Sequence, residues 1–489
     1  WAGAPAARRG KVRRSADSAR PPRSRRWSMA YGASAVLLGL FPFTAVLPGL
    51  AVLCLFMRGT TTLGGALQAA LLGVPAATLA GMAAFAAATL AAVRLLGAGL
   101  REGEHPVHGR QAWQAWAASR LMGTARVWLF PLYASILTPA WLRALGMKVG
   151  RDVEASTVLA LPAMTSVADG AFLADDTMVT PYELGGGRMR IARARIGKRA
   201  FLGNSGMTGP GRKVPKGGLI GVLSAAPKKA KAGASYLGMP PVRLRRTADT
   251  ADQSRTYRPP RRLKAARAAV EAFRIVPAML TVAVGVLSAA ALERLAAGPG
   301  WVAAVLLSGV VVAAAGVLAA AAATAAKWAL VGRIGEGERE LWSSFVWRNE
   351  LADNFVEVLA APWFAEPWLG TAPLNLWLRS LGARIGRGVW CATYWLPEAD
   401  LVRLGDGACV NQGCVLQTHL FHDRIMRVDA VVLERGATLG SNGVVLPAAS
   451  VGANATVGPA SLVMRGEQLP ARTRWLGNPI AAWTPDSDE

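Results

Sequence analysis

Leu433-Glu434-Arg435-Gly436-Ala437-Thr438-Leu439-Gly440-Ser441-Asn442-Gly443-Val444-Val445 sets an aliphatic side chain at every sixth position, and the series runs on through Val451, Val457 and Val463. A period of six matches neither the 3.6-residue recurrence of an amphipathic helix nor the alternation of a half-buried strand. It fits a β-helix of triangular section, each side one short strand with its aliphatic residue pointing inward. Two positions before each lies Val431, Ala437, Gly443, Ala449, Ala455 or Ser461, small enough in most cases for a tight corner. The same spacing appears in Leu404, Val410 and Leu416, in Val167, Leu173 and Val179, and in Ile196, Leu202, Thr208, Val214 and Ile220.

The two coil regions belong to a larger duplication. Leu145-Gly146-Met147-Lys148-Val149-Gly150-Arg151 returns as Leu381-Gly382-Ala383-Arg384-Ile385-Gly386-Arg387, Asp169-Gly170-Ala171 as Asp406-Gly407-Ala408, and Tyr236-Leu237-Gly238-Met239-Pro240 as Trp475-Leu476-Gly477-Asn478-Pro479. Each half can therefore serve as the control for the other: where the framework is shared and the chemistry is not, the difference points to function.

Before each coil stand two long apolar runs, Met29 to Met57 with Leu63 to Leu96, and Ile275 to Ala297 with Trp301 to Leu330. Each reaches the roughly 20 residues that cross a bilayer as a helix, in a chain that is 52% hydrophobic. Basic residues crowd the sequence ahead of each pair, Arg8 to Arg26 and Arg243 to Arg267, and are nearly absent from the turns. The positive-inside rule then places both soluble parts on the cytoplasmic side of the inner membrane, in a multi-pass chain. The expected organisation is a basic linker 1–27, transmembrane hairpin 28–101, amphipathic interfacial helices 102–146, β-helix domain 147–245, basic linker 246–270, hairpin 271–332, interfacial helices 333–382 and β-helix domain 383–485. Trp113, Trp116, Trp128, Tyr133 and Trp141, with Trp342, Trp347, Trp363, Trp368 and Trp377, suit an interfacial position in the connecting stretches, and helix-to-helix packing accounts for them almost as well.

The net charge of +25 lies largely in the juxtamembrane clusters, where each basic residue gains about 1 kcal/mol from anionic lipid. With no aromatic-interleaved basic stripe or zinc-finger spacing, nucleic acid is not an expected partner. Cys54, Cys391, Cys409 and Cys414 have no metal-type spacing and read as free thiols of a reducing compartment.

The copies part after the third six-residue step. The second carries Gln417-Thr418-His419-Leu420-Phe421-His422-Asp423-Arg424; the first has Thr180-Pro181-Tyr182-Glu183-Leu184-Gly185-Gly186-Gly187, without histidine. Two of the chain's four histidines thus fall in one expected loop. The others, His105 and His108, follow a membrane run and read as solvated interfacial residues. A loop ejected from a β-helix gains no ladder hydrogen bonds, so titratable residues on it favour use. An imidazole can take a proton from an attacking amine or hydroxyl at neutral pH. Two histidines without further ligands are weak evidence for metal, and none is expected.

The Leu404-Gly405-Asp406-Gly407-Ala408-Cys409-Val410-Asn411-Gln412-Gly413-Cys414 run followed by a histidine-bearing loop resembles the hexapeptide-repeat acyltransferases, from which a left-handed coil is inferred. Gln417-Thr418-His419-Leu420-Phe421, the duplicated coils with paired membrane helices, and the Trp475-Leu476-Gly477-Asn478-Pro479 ending resemble more narrowly the membrane-bound C-terminal region of ε-poly-L-lysine synthetase-like single-module nonribosomal peptide synthetases. The sequence departs from that family in carrying His422 where Glu is usual and in showing two coils rather than three.

The resemblance implies amide-bond formation, with an aminoacyl group passing from a phosphopantetheine-linked thioester to the amine of a free amino acid or short homopolymer. It implies no permanently bound cofactor, and adenylation and carrier domains upstream or in trans; homo-oligomers are possible. The expected site is His419 as base, Asn411 orienting the acceptor, His422 and Asp423 holding the imidazole or an ammonium group, and Gln417, Thr418 and Asp406 binding substrate. Glu398 and Asp400 read either as attracting a cationic substrate or as solvated surface acids, and Tyr182 and Glu183 could assist in the first copy. Open alternatives are a membrane-anchored O- or N-acyltransferase using acyl-coenzyme A on a sugar or lipid, and a structural or export scaffold.

Overall fold

The computed structural model describes residues 24–245, 252 and 254–483; the basic stretch 1–23, Arg246 and the start of the second linker lie outside the described residues. Two compact units form, Trp1–Gly49 with Leu79–Ala248, and Leu50–Thr78 with Asp249–Glu489. The expected hairpin 28–101 is therefore shared: helix Leu63–Gly97 has 35 residues, roughly 50 Å at 1.5 Å per residue, and its two ends belong to different units.

Four helical segments are long and apolar enough to cross a membrane: Arg25–Met57, Leu63–Gly97, Arg261–Ala297 and Trp301–Leu330, with mean hydropathies of 2.2, 1.8, 2.2 and 2.5. Their outer faces present large apolar side chains such as Leu37, Leu72, Leu306 and Val310, as lipid contact requires and water does not favour. The third segment starts earlier than its apolar run, because the basic turn Arg261–Ala272 is helical and passes through Phe273–Ile275 into Val276–Ala297.

In the second unit, strands of two to four residues are dealt in rotation onto three parallel sheets. One contains Arg384–Ile385, Val402–Leu404, Val431–Leu433, Ser450–Val451 and Gln468–Leu469. The next contains Trp390–Cys391, Cys409–Val410, Thr438–Leu439, Thr456–Val457 and Arg474–Gly477; the third Val415–Leu416, Val444–Val445 and Leu462–Val463. Leu433 faces Val451, Leu439 faces Val457 and Val445 faces Val463, so ladder partners lie three six-residue steps apart. The first unit deals its strands in the same way, with Val149 facing Val167 and Val167 facing Ile196. This arrangement is consistent with the β-helix that the six-residue period predicts.

Leu433, Leu439, Val445, Val451, Val457 and Val463 are all fully buried, each worth about 1.5–3 kcal/mol of transfer free energy. The repeated motifs are explained by framework contacts. In both copies an arginine caps the carbonyls at the open edge of the first rung: Arg143 donates to the Val149 and Gly150 carbonyls, Arg379 to those of Ile385 and Gly386. These edge acceptors have no earlier strand to pair with. The Asp of each Asp-Gly-Ala motif binds the corner below it, Asp169 accepting from Arg151 N at 2.8 Å and Asp406 from Arg387 N at 2.7 Å. Gly150 and Gly386 are required there, since a Cβ would lie 2.4 Å from the aspartate oxygen.

The Trp-rich stretches pack partly inside the protein, with Trp128 exposed. Tyr133, Trp342, Trp347 and Trp377 are buried, and Trp377 Nε1 donates to the Ala320 carbonyl, so helix packing accounts for these aromatics. Helix Ser344–Phe355 continues into a π-helical segment, Val356–Ala365, containing Pro362. Pro362 donates no N–H, and Thr281 Oγ1 reaches the Val358 carbonyl at 2.7 Å. Leu439→Ala, deleting one inward side chain from a fully packed rung, should cost about 2–5 kcal/mol; a lowered thermal midpoint of the detergent-solubilised protein is the check.

Candidate active site

The segment that departs from the coil in the second copy is a β-hairpin. His419–His422 pairs antiparallel with Ile425–Val428, which also pairs with Gly337–Glu340 beyond the apolar helix Trp301–Leu330. The expectation of a loop without ladder bonds is thereby corrected: a three-stranded sheet fixes the segment. Asp423 and Arg424 form its turn with φ of 48° and 67°, the two-residue turn whose twist suits a hairpin. Gly186 and Gly187 take this place in the first copy. Arg424 is buried, donating to the Thr256 carbonyl and stacking its guanidinium 4.5 Å from the Tyr257 ring.

His419 begins the hairpin and is 9% exposed, while Glu398 is fully buried. The imidazole Nδ1 lies 2.9 Å from both Oε1 and Oε2 of Glu398. The Thr418 hydroxyl donates to Oε2, Asn349 Nδ2 donates to Oε1 at 2.9 Å, and Glu398 N donates back to Thr418 Oγ1 at 3.2 Å. Burial pushes the Glu398 carboxyl up, but the His419 charge and the hydrogen bonds from His419, Thr418 and Asn349 prevail and hold it below its ordinary value. An ionised carboxylate only accepts, so Nδ1 carries the proton and Nε2 is the basic nitrogen of the ring.

The first copy has apolar groups at the matching places. Leu161 and Glu398 each precede the 3-10 turn leading into the next strand, Ala115 and Asn349 are each the sixth residue of their helix, and Tyr182 and His419 each open the hairpin. Ala115, Leu161, Met189 and Ile191 form a cluster against which Tyr182 packs. One copy thus holds a hydrogen-bonded dyad where the other holds an alanine, a leucine and a tyrosine.

The remaining sequence-derived residues are distributed as follows. Thr418 touches Glu398 directly; Gln417 is buried beside it in sequence, its N–H bonded to the Val445 carbonyl. His422 and Asp423 lie at the far end of the hairpin strand, 3.9 Å apart. Asn411 Nδ2 donates to the Leu439 carbonyl, a rung-to-rung contact, and Asp406 is the coil corner already described. Neither is brought to the dyad by these bonds. Glu398 and Asp400 are not solvated acids: Asp400 is buried 2.8 Å from Lys327. His105 sits in strand Gly103–Pro106, paired with Arg188–Ile191, and His108 packs edge-on to Tyr31. The four cysteines are free thiols; burial pushes Cys391 up to about 11 and Cys414 upward, so neither offers a ready thiolate. No group of three metal-ligating side chains occurs among the described residues.

Sequence comparison gives this geometry a context. Over 394 residues, 78% of the chain, it is 33% identical to delta-poly-L-ornithine synthetase of Acinetobacter baumannii (strain AB307-0294). The chain is a homologue of part of that synthetase. It spans 29% of the relative's length. No protein-family model matches the chain. Among solved structures, a hexapeptide-repeat containing acetyltransferase from Vibrio cholerae is 18% identical, with a TM-score of 0.20 over 23% of this chain and 79% of that one. The polySia specific acetyltransferase NeuO is 8% identical, with a TM-score of 0.15 over 69% and 81%.

A carboxyl held below its ordinary value in the fold contributes stability that is present above that value and lost as pH falls through the folded one. Lowering the pH below the ordinary 4.5 of Glu398 should therefore erode the thermal midpoint of the wild type relative to Glu398→Gln. Parallel curves for the two proteins would mean that the carboxyl is not held charged.

Proposed function

We propose that this chain is the amide-bond-forming region of a membrane-bound poly-amino-acid synthetase, with its soluble domains, left-handed β-helices in tandem, on the cytoplasmic face. The observation that carries the reading is the His419–Glu398 dyad, built in one copy and replaced by Tyr182 and Leu161 in the other, in a homologue of a synthetase of this kind. The donor is an aminoacyl thioester on the phosphopantetheine arm of a carrier domain, and the acceptor is the amine of a free amino acid or of a short homopolymer.

A side-chain amine with a pKa near 10.4 is about 99.9% protonated at pH 7. The amine that reacts is the neutral minority, and its second proton must leave as the new bond forms. His419 Nε2 takes that proton while the nitrogen attacks the thioester carbonyl. The C–N bond forms, the tetrahedral intermediate collapses with cleavage of the C–S bond, and the imidazolium returns the proton to the departing thiolate. Glu398 holds the ring and stabilises its charged form, and Thr418 and Asn349 position the carboxylate. His422 and Asp423, on the same hairpin, are the proposed contacts for an ammonium group. Gln417 supports the start of that strand.

His419→Ala should lower polymer formation by about 10²–10⁴-fold, whereas Tyr182→Ala in the first copy should leave it unchanged. Retained activity in His419→Ala would remove the assignment. Supplying acyl-coenzyme A in place of a loaded carrier separates this reading from a membrane-tethered acyltransferase, because the dyad itself could serve either donor.

A further inference from the structure

The first unit has no dyad, yet one face of its coil is chemically distinctive. Lys148, Ser166, Arg195 and Lys213 stand in lateral register on four adjacent strands, Lys148 facing Ser166, Ser166 facing Arg195, and Arg195 facing Lys213. With Lys198 and Lys216 at the neighbouring corners they line a shallow open groove of about 610 Å³ whose lining contains no acidic residue. All five basic residues are exposed, and none makes an ion pair with a described carboxylate. Like charges directly opposite on adjacent strands are unfavourable, so the coil holds Arg195 beside Lys213 against its own stability.

The second copy is the control. Its matching ladder reads Arg384, Arg403, Val432, Ser450 and Gln468, and Glu434 lines the corresponding groove. The second groove keeps a shorter positive run of Arg379, Arg384 and Arg403 with an acid beside it; five basic residues without a carboxylate line only the groove of the copy that has no dyad.

We propose that this groove docks an acidic protein domain, the carrier that delivers the aminoacyl thioester; this rests on the carrier-linked donor of the reading above. Charge complementarity calls for an anionic partner. The stripe runs from the first rung, beside helix Thr138–Ala144, across three inter-strand spacings, roughly 14 Å along the coil. That is a footprint for a small folded domain, since a lipid surface meeting the coil at its helix-bearing end would reach Lys148 and miss Lys213. The groove lining has no aromatic side chain on which a base could stack, which disfavours single-stranded nucleic acid.

The test uses the full chain in detergent, as wild type and as Lys148→Glu/Arg195→Glu/Lys213→Glu. The probes are a fluorescently labelled, phosphopantetheinylated acidic carrier domain for binding by anisotropy, and two donors for turnover: that carrier charged with an amino acid, and the same aminoacyl group on N-acetylcysteamine. The expected result is at least a tenfold loss of carrier affinity and a matching rise in KM for the carrier donor, with unchanged kcat/KM for the small thioester. Wild-type affinity should also fall steeply with added salt, and Arg384→Glu/Arg403→Glu in the second copy should bind as wild type. Unchanged carrier affinity in the triple variant overturns the proposal, as does a wild type that does not bind the carrier, and loss of binding only to phosphatidylglycerol vesicles assigns the face to lipid instead. Carrier binding lost in the triple variant, with no turnover of either thioester by the wild type, leaves the docking face standing and overturns the proposed reaction.

Discussion

A carboxylate taken fully out of water is costly unless its lone pairs are satisfied, and Glu398 is such a group. Its partners come from separate parts of the fold: His419 and Thr418 from the end of a coil strand and the start of the hairpin, Asn349 from helix Ser344–Phe355. The hairpin is in turn pinned by Gly337–Glu340, the strand that follows an apolar helix. Satisfying one buried charge therefore requires coil, hairpin and helix to be assembled together, and that requirement ties the chemistry to the architecture.

The duplication shows how such a site can be dispensable for folding. Removing one partner of a buried pair leaves an uncompensated charge, but replacing the whole set by hydrocarbon of similar shape is often close to neutral. The first copy removes every charged member of the set, with Ala115, Leu161 and Tyr182 where the second has Asn349, Glu398 and His419. Meanwhile the framework contacts, Arg143 and Arg379 on the first-rung carbonyls and Asp169 and Asp406 at the corners, are made in both. Scaffold and site are separable sets of interactions: the scaffold set recurs in both halves, and the site set does not.

The coil and the apolar helices were legible because they depend on periodicity and on length, both local properties of a sequence. His419 was legible by contrast between the copies. Glu398 and Asn349 were not, because their roles arise from register. Leu396-Pro397 invites alignment with Leu161-Pro162, which would set Glu398 against Ala163; the 3-10 turns instead match Glu398 to Leu161. Asp406 stood out for the opposite reason, since its motif recurs in both copies, and what recurs is the corner hydrogen bond. Reading the hairpin as a loop failed because its outer strand, Gly337–Glu340, is remote in sequence and has no strand-like pattern of its own.

The dyad also sets the direction in which charge would move in the proposed reaction. In the proposed reaction Nδ1 donates to an anionic Glu398 and the proton is taken up at Nε2, so the positive charge would develop beside a counter-ion that is already oriented. Little reorganisation is then needed as the transition state forms, and the attraction is strongest where solvent screening is weakest. An exposed carboxylate at the same distance would offer less, because water would both screen it and compete for its lone pairs. Burial of Glu398, unfavourable when counted alone, is thus what would make His419 a better base in the reaction proposed above, where an amine must lose a proton as it attacks.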